Sequence, residues 1–228
     1  MTRTEIYMPR ILAHEGGWAD NPKDPGGATN RGVTIGTLRK LGIDKDGDGD
    51  SDIADLRMLT EADAIRVFDR FYADPVQADL LPVGLDYAMT DFAVNSGPTR
   101  AAEHLQRILG VAVDGHIGPQ TLAKVAQCDA KALIVALSES RLRFLRNLKT
   151  WGTFGAGWQR RVFEVQAAAL NDADGATKPA PIKSLPPKQP ATGVSTTTST
   201  PPPKTPQSLW AWLLAALAGL FKPKGPKA

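Results

Sequence analysis

Glu15 ends an apolar helical stretch, Ile6 to Glu15, and stands directly before Gly16 and Gly17. A carboxyl group in that place sits at the negative end of a helix and beside an open loop. The helix dipole and partial burial both raise its pKa. A carboxyl with a raised pKa can deliver a proton near neutrality, the task of a general acid. On spacing alone, a solvated glutamate at a helix end is the favoured reading.

A second constellation concerns metal rather than protons. Asp44, Asp46, Asp48, Asp50, Asp52 and Asp55 fall within 12 residues, with Gly47 and Gly49 between them. The spacing is D-x-D-x-D-G-x-x-D-x-x-D once Gly49 is taken as the turn glycine. Ca²⁺ takes about six to eight hard oxygen ligands, and such a loop supplies them. It resembles the calcium loops of EF-hand, dockerin and thrombospondin type 3 repeats, with Asp55 where an EF-hand has glutamate. The expected ligands are the side chains of Asp44, Asp46, Asp48 and Asp55, the backbone carbonyl of Asp50, and Asp52 through water. Six close aspartates repel one another without a cation; the plainer reading is a solvated acidic loop. The expected role of Ca²⁺ is structural, with no catalytic cofactor.

The stretch Glu15-Gly16-Gly17-Trp18, continued by Asn21-Pro22-Lys23-Asp24-Pro25-Gly26-Gly27-Ala28-Thr29-Asn30-Arg31-Gly32-Val33-Thr34-Ile35-Gly36, closely resembles the signature of glycoside hydrolase family 108. That family comprises phage endolysins and secretion-associated muramidases. The resemblance implies a lysozyme-like fold, cleavage of peptidoglycan glycan strands, and Glu15 as catalytic acid. Trp18 stands where members often carry tyrosine and is the expected substrate-binding aromatic. Phage-type lysozymes show a similar order: a glutamate at a helix end, a Lys-Asp pair, then Thr-Ile-Gly. Here these are Glu15, Lys23-Asp24 and Thr34-Ile35-Gly36, with a longer loop between Asp24 and Thr34. The comparison makes Asp24 the candidate second carboxylate, with Asp20 as its rival, and Thr34 the residue that positions water. Asp24 also reads as a turn residue before Pro25, and Thr34 as a β-former or helix cap.

Further along, Asp91-Phe92-Ala93-Val94-Asn95-Ser96-Gly97, Leu105-Gln106 and the string Asp114-Gly115-His116-Ile117-Gly118-Pro119-Gln120-Thr121 resemble the peptidoglycan-binding segment that accompanies this family. Asn95 is a candidate glycan contact, or else a helix C-cap. A zinc hydrolase is not supported: after His14-Glu15, position 18 is Trp18, so H-E-x-x-H is incomplete. The single cysteine, Cys128, excludes a disulfide framework and a thiolate metal cage.

These groups need elements to hold them, and the signals are helical. Thr60 can cap a helix carrying Ala64, Ile65, Phe68, Phe71 and Tyr72. Further stripes are Leu85, Ala88, Met89, Phe92 and Ala93, then Ala102, Leu105, Ile108 and Leu109, closed by Gly110. Pro119 suits a first helical position, and Asp129 can cap a long helix through Leu133, Leu137 and Leu145. Trp158, Val162 and Val165 mark a last helix, and a small β element is expected around Val33 to Ile35. Pro9 must lie in or near the first turn of the first helix. The expected fold is mainly α: a lysozyme-like helical domain with a calcium-binding loop.

Of 228 residues, 42% are apolar, enough for a core. The net charge of +3 conceals an asymmetry. Of 27 basic residues, seven are lysines beyond Asp174, which leaves residues 1–174 with 20 basic against 24 acidic groups. A nucleic-acid partner is therefore not expected of the body. The composition turns to proline and threonine near residue 172, and residues 209–221 are apolar throughout, too short for a full crossing. The expected organisation is a muramidase segment over 1–91, a peptidoglycan-binding segment over 92–172 in the same body, a linker over 173–208 and a membrane-associating helix over 209–222.

The resulting expectation is a monomeric endolysin without a secretory signal. It would accumulate in the host cytoplasm and at the inner membrane, and hydrolyse the β-1,4 bond between N-acetylmuramic acid and N-acetylglucosamine. A lytic transglycosylase, a bacterial muramidase assisting export, and a non-catalytic wall-binding or membrane-active protein remain the alternatives.

Overall fold

In the computed structural model, which describes residues 2–20 and 27–176, the first helix α1 (Arg3–Leu12) starts earlier than its apolar pattern suggests. Thr2 and Glu5 form a capping box: the Glu5 N–H donates to Thr2 Oγ1 at 3.2 Å, and the Thr2 N–H to Glu5 Oε2 at 2.7 Å. The expected start at Ile6 is thus corrected, and Pro9 falls in the interior rather than the first turn. The helix stops soon after, and the chain continues as a tight turn in which the Glu15 N–H donates to the Leu12 carbonyl at 2.9 Å.

A short hairpin follows. β1 (Thr29–Asn30) pairs antiparallel with β2 (Val33–Thr34), with Asn30 opposite Val33. Thr34 then caps α2 (Ile35–Leu41), which Gly42 closes at φ 62°. The aspartate loop leads into α3 (Ile53–Met58), and Thr60 caps α4 (Glu61–Phe68) with Asp63 completing the box. A π-helical turn, Asp69–Ala73, and two 3₁₀ turns carry the chain on to the core helix.

That helix is α5 (Leu85–Ser96), buried along all twelve residues. It packs against α1, α6 (Pro98–Leu109), α8 (Ala130–Arg146) and α9 (Trp151–Gly175). Being enclosed on every side, it must satisfy its polar groups internally. Thr90 does so through the Tyr7 hydroxyl at 3.1 Å and the Asp86 carbonyl at 2.8 Å. Asp86 accepts from the Gly84 N–H at 2.8 Å and pairs with Arg3 at 2.9 Å.

The expected signals at Gly110, Pro119 and Asp129 each mark the boundary read from them, Pro119 opening α7 (Pro119–Val125). The final helix runs to Gly175, past the composition change at 172. Among the described residues no helix is long and apolar enough to cross a membrane. The expected linker beyond Ala176 and the apolar helix at 209–222 lie outside the described residues, as does Asp24.

Gly84 fixes how closely α5 approaches α9. Its φ is +87°, and a Cβ there would lie 2.2 Å from the Ala169 carbonyl oxygen. Gly84→Ala combines backbone strain with overpacking and should cost about 2–5 kcal/mol, read as a lowered urea midpoint.

Candidate active site

The carboxyl of Glu15 is enclosed although it belongs to a turn: its side chain is 9% exposed. Part of its wall is the hairpin turn. A Cβ on Gly32 would lie 3.0 Å from Glu15 Cβ and 2.7 Å from the Phe68 ring, so only glycine lets the hairpin close over the acid. Phe68 and Tyr72 pair at 5.2 Å. The Tyr72 hydroxyl is pushed up to about 12, by burial and then by the charge of Glu15.

On the other side stands Arg161 of α9. Its Nη1 and Nη2 each lie 3.4 Å from Glu15 Oε1, a loose contact. The same guanidinium holds Asp91 of α5 far more tightly, Nη2 to Oδ1 at 2.6 Å and Nε to Oδ1 at 2.9 Å. Arg141 of α8 grips the other oxygen, Nη1 to Oδ2 at 2.6 Å, and lies 5.2 Å from the centre of the Phe92 ring. The side chains of Asp91, Arg161 and Arg141 are 0%, 3% and 4% exposed.

The two carboxyls are driven in opposite directions. Burial raises Glu15 to about 7; Arg161 opposes the rise and Asp91 adds to it. Burial would also raise Asp91, but Arg161 and then Arg141 override it and hold it at about 2. Asp91 is therefore a fixed anion with both oxygens engaged, unsuited to act as base or nucleophile. Glu15 carries its proton in a substantial fraction of molecules at neutral pH, as an acid catalyst requires. Of the two influences read from the sequence, burial is the largest cause of the rise. His14, next to it, is pushed down by burial and then by Arg161.

The other expected site residues distribute unevenly. Thr34 Oγ1 accepts the Thr37 N–H at 3.1 Å, as a helix cap does, two residues from the turn that covers Glu15. Trp18 is 40% exposed, with the Arg57 guanidinium 4.7 Å from its ring centre. Asp20 is exposed on the loop. Asn95 is corrected from an open glycan contact: it is 2% exposed inside α5, and its Oδ1 accepts from the Ser96 hydroxyl at 3.1 Å. His104 is half-buried, set edge-on to Phe92 and Phe144 and bonded to Ser140 Oγ at 2.8 Å. The Leu105-Gln106 and Asp114 strings occur together for a structural reason. Buried Gln106 accepts from the Asp114 and Gly115 N–H groups at 3.1 and 2.9 Å, and donates to Asp114 Oδ1 at 2.7 Å.

The aspartate loop is arranged as two groups, Asp44, Asp46 and Asp48, then Asp50, Asp52 and Asp55, with carboxylate oxygens inside each group within 4.8 Å of one another. Asp52 caps α3, and buried Asp55 accepts the N–H groups of Lys45 at 2.5 Å, Asp52 at 2.8 Å and Asp46 at 3.3 Å. The Asp44 carboxylate accepts from Gly47 at 2.6 Å and Gly49 at 3.0 Å.

Residues 8–97 match the family described as glycosyl hydrolase 108, and residues 100–163 match one described as a predicted peptidoglycan domain. The chain is 41% identical to the protein in the solved structure of Brucella abortus SagA, over 75% of this chain and 95% of that one, with a TM-score of 0.62. The chain belongs to glycosyl hydrolase family 108. It is a glycoside hydrolase acting on peptidoglycan, and no curated protein matches it. The family boundary crosses the site: Glu15 and Asp91 lie in the first matched segment, Arg141 and Arg161 in the second. The peptidoglycan segment thus supplies the cation that touches the acid of the hydrolase segment.

The ionisation of Glu15 is linked to folding. With the folded pKa near 7 against an ordinary 4.5, its contribution is fully present below pH 4.5 and is lost as pH rises through 7. The loss is on the order of 3 kcal/mol. Glu15→Gln should therefore gain stability relative to wild type between pH 4.5 and pH 8, measured by urea unfolding at both.

Proposed function

We propose that this glycoside hydrolase is an N-acetylmuramidase that cleaves the β-1,4 bond between N-acetylmuramic acid and N-acetylglucosamine, and that it serves as a phage endolysin. The observation that carries the reading is the Glu15 carboxyl, 9% exposed behind the Gly32 turn and held near pKa 7. In this mechanism Glu15 gives its proton to the glycosidic oxygen as the carbon–oxygen bond breaks. Positive charge develops on the sugar ring, and water adds to the anomeric carbon. A second carboxylate takes the water's proton; Asp24 is the assigned residue, Thr34 orienting the water. Arg161, tied to Asp91, steadies the Glu15 carboxylate that remains until it is reprotonated.

Clearing of purified sacculi by the wild type and by Glu15→Gln tests the assignment. The variant should lose at least about a thousandfold in rate, since no other group donates the proton. Mass spectrometry of the products should show sugars one water heavier than anhydro ends; anhydro products would instead mark a transglycosylase.

The reading includes Ca²⁺ in the aspartate loop. Three hard carboxylate oxygens within 4.8 Å of one another can all reach one ion at ordinary Ca–O distances, so the donors fit. The side chains of Asp44, Asp46, Asp48 and Asp55, the Asp50 carbonyl and Asp52 through water would hold it, and it would cross-link the loop that leads into α3. Thermal unfolding in excess calcium against EGTA should show a rise of about 5 °C or more with calcium. An unchanged midpoint would count against a bound ion.

A further inference from the structure

Between the hairpin and α3 lies a shallow, open groove of about 500 Å³ lined by Trp18, Asn30, Arg31, Arg57 and Leu59. Leu59, 3% exposed, is its apolar base. The Asn30 amide is spent on the Leu56 carbonyl at 2.8 Å, which pins α3 to the hairpin and sets the groove's width. Arg57 lies against the Trp18 ring, and among the described residues no carboxylate forms an ion pair with it. Arg31, exposed at φ 50° in the hairpin turn, meets Glu61 only at 3.9 Å. Two guanidiniums and an indole thus gather in one groove, on a body whose residues 1–174 carry more acidic than basic groups.

Two of the groove's lining residues are near the acid in the chain. Arg31 is the neighbour of Gly32, which abuts Glu15, and Trp18 follows Glu15 by three residues. An aromatic plane offers a sugar ring an apolar face, and a guanidinium offers a carboxylate paired donors. Of the two sugars in the strand, only the muramyl residue carries a carboxylate-bearing substituent.

The geometry points to a specificity subsite, resting on the muramidase reading, in which Trp18 packs on a muramyl ring and Arg57 and Arg31 bind a carboxylate of its substituent. The groove then distinguishes the two alternating sugars and sets which bond falls against Glu15. The carboxylate has two possible sources, the free lactyl acid of a peptide-free strand or the acids of an attached stem peptide.

Isothermal titration of Glu15→Gln and of Glu15→Gln/Arg57→Gln separates these without requiring turnover. The titrants are peptide-bearing strands, peptide-free muramyl strands and neutral N-acetylglucosamine oligomers. Loss of Arg57 should weaken binding of carboxylate-bearing strands about tenfold and leave the neutral oligomers unchanged. Arg57→Lys should recover part of the loss. Loss confined to peptide-bearing strands assigns the stem-peptide acids, loss confined to peptide-free strands assigns the free lactyl acid, and loss on both shows that the arginines take either carboxylate. Equal affinity in both proteins for every titrant, or equal weakening on the neutral oligomers, would overturn the subsite. Failure of the muramidase reading shows separately, as an active wild type that releases no muramic reducing ends.

Discussion

One aspartate and two arginines, almost wholly withdrawn from solvent, govern the acid of this enzyme. Asp91 draws Arg161 and Arg141 to itself at 2.6 Å, and what remains of Arg161 reaches Glu15 only at 3.4 Å. Arg161 opposes the rise at Glu15, and the charge of Asp91 adds to it. Sharing the guanidinium with a nearer anion leaves burial as the larger influence on Glu15. Buried ion clusters are costly to assemble and seldom add net stability, but removing one member typically costs about 3–5 kcal/mol. The cluster is better understood as fixing the position and protonation of the acid than as holding the fold together.

The cluster also explains why the body is built as one unit. Its members come from α5, α8 and α9, with the acid on the turn after α1. Completing it requires α5 to be wrapped on all sides, and Gly84 permits the close approach of α9. The matched hydrolase and peptidoglycan segments are therefore joined through charge as well as through packing, and neither contains the whole site. The hairpin and α3 form the opposite rim, where Gly32 covers the acid and Trp18 meets Arg57.

Much of this was legible where the signal is local. Glu15 before two glycines, the caps at Thr60 and Asp129, Pro119 at a helix start and Gly110 at a helix end each act within a few residues of chain. Thr2 with Glu5 is an equally local box, but the apolar stripe beginning at Ile6 masked it. The ion cluster was not legible, because its partners stand 50 and 70 residues apart. A faint signal exists. Arg161 occupies the apolar face marked by Trp158, Val162 and Val165, and Asp91 sits inside the stripe of Met89, Phe92 and Ala93. A charge on a buried helical face needs a partner, though the sequence does not say which. The same ambiguity affects Asn95, which the resemblance offers as a glycan contact or a helix C-cap and which lies inside a helix buried on every side.

The central claim is that burial, with Arg161 held chiefly by Asp91, keeps the Glu15 carboxyl protonated up to neutral pH. The most direct test follows the side-chain carboxyl carbon of Glu15 by ¹³C NMR as pH is raised, with Glu15→Gln to assign the resonance. The account predicts a midpoint near 7. A midpoint at the ordinary value of 4.5 would contradict it.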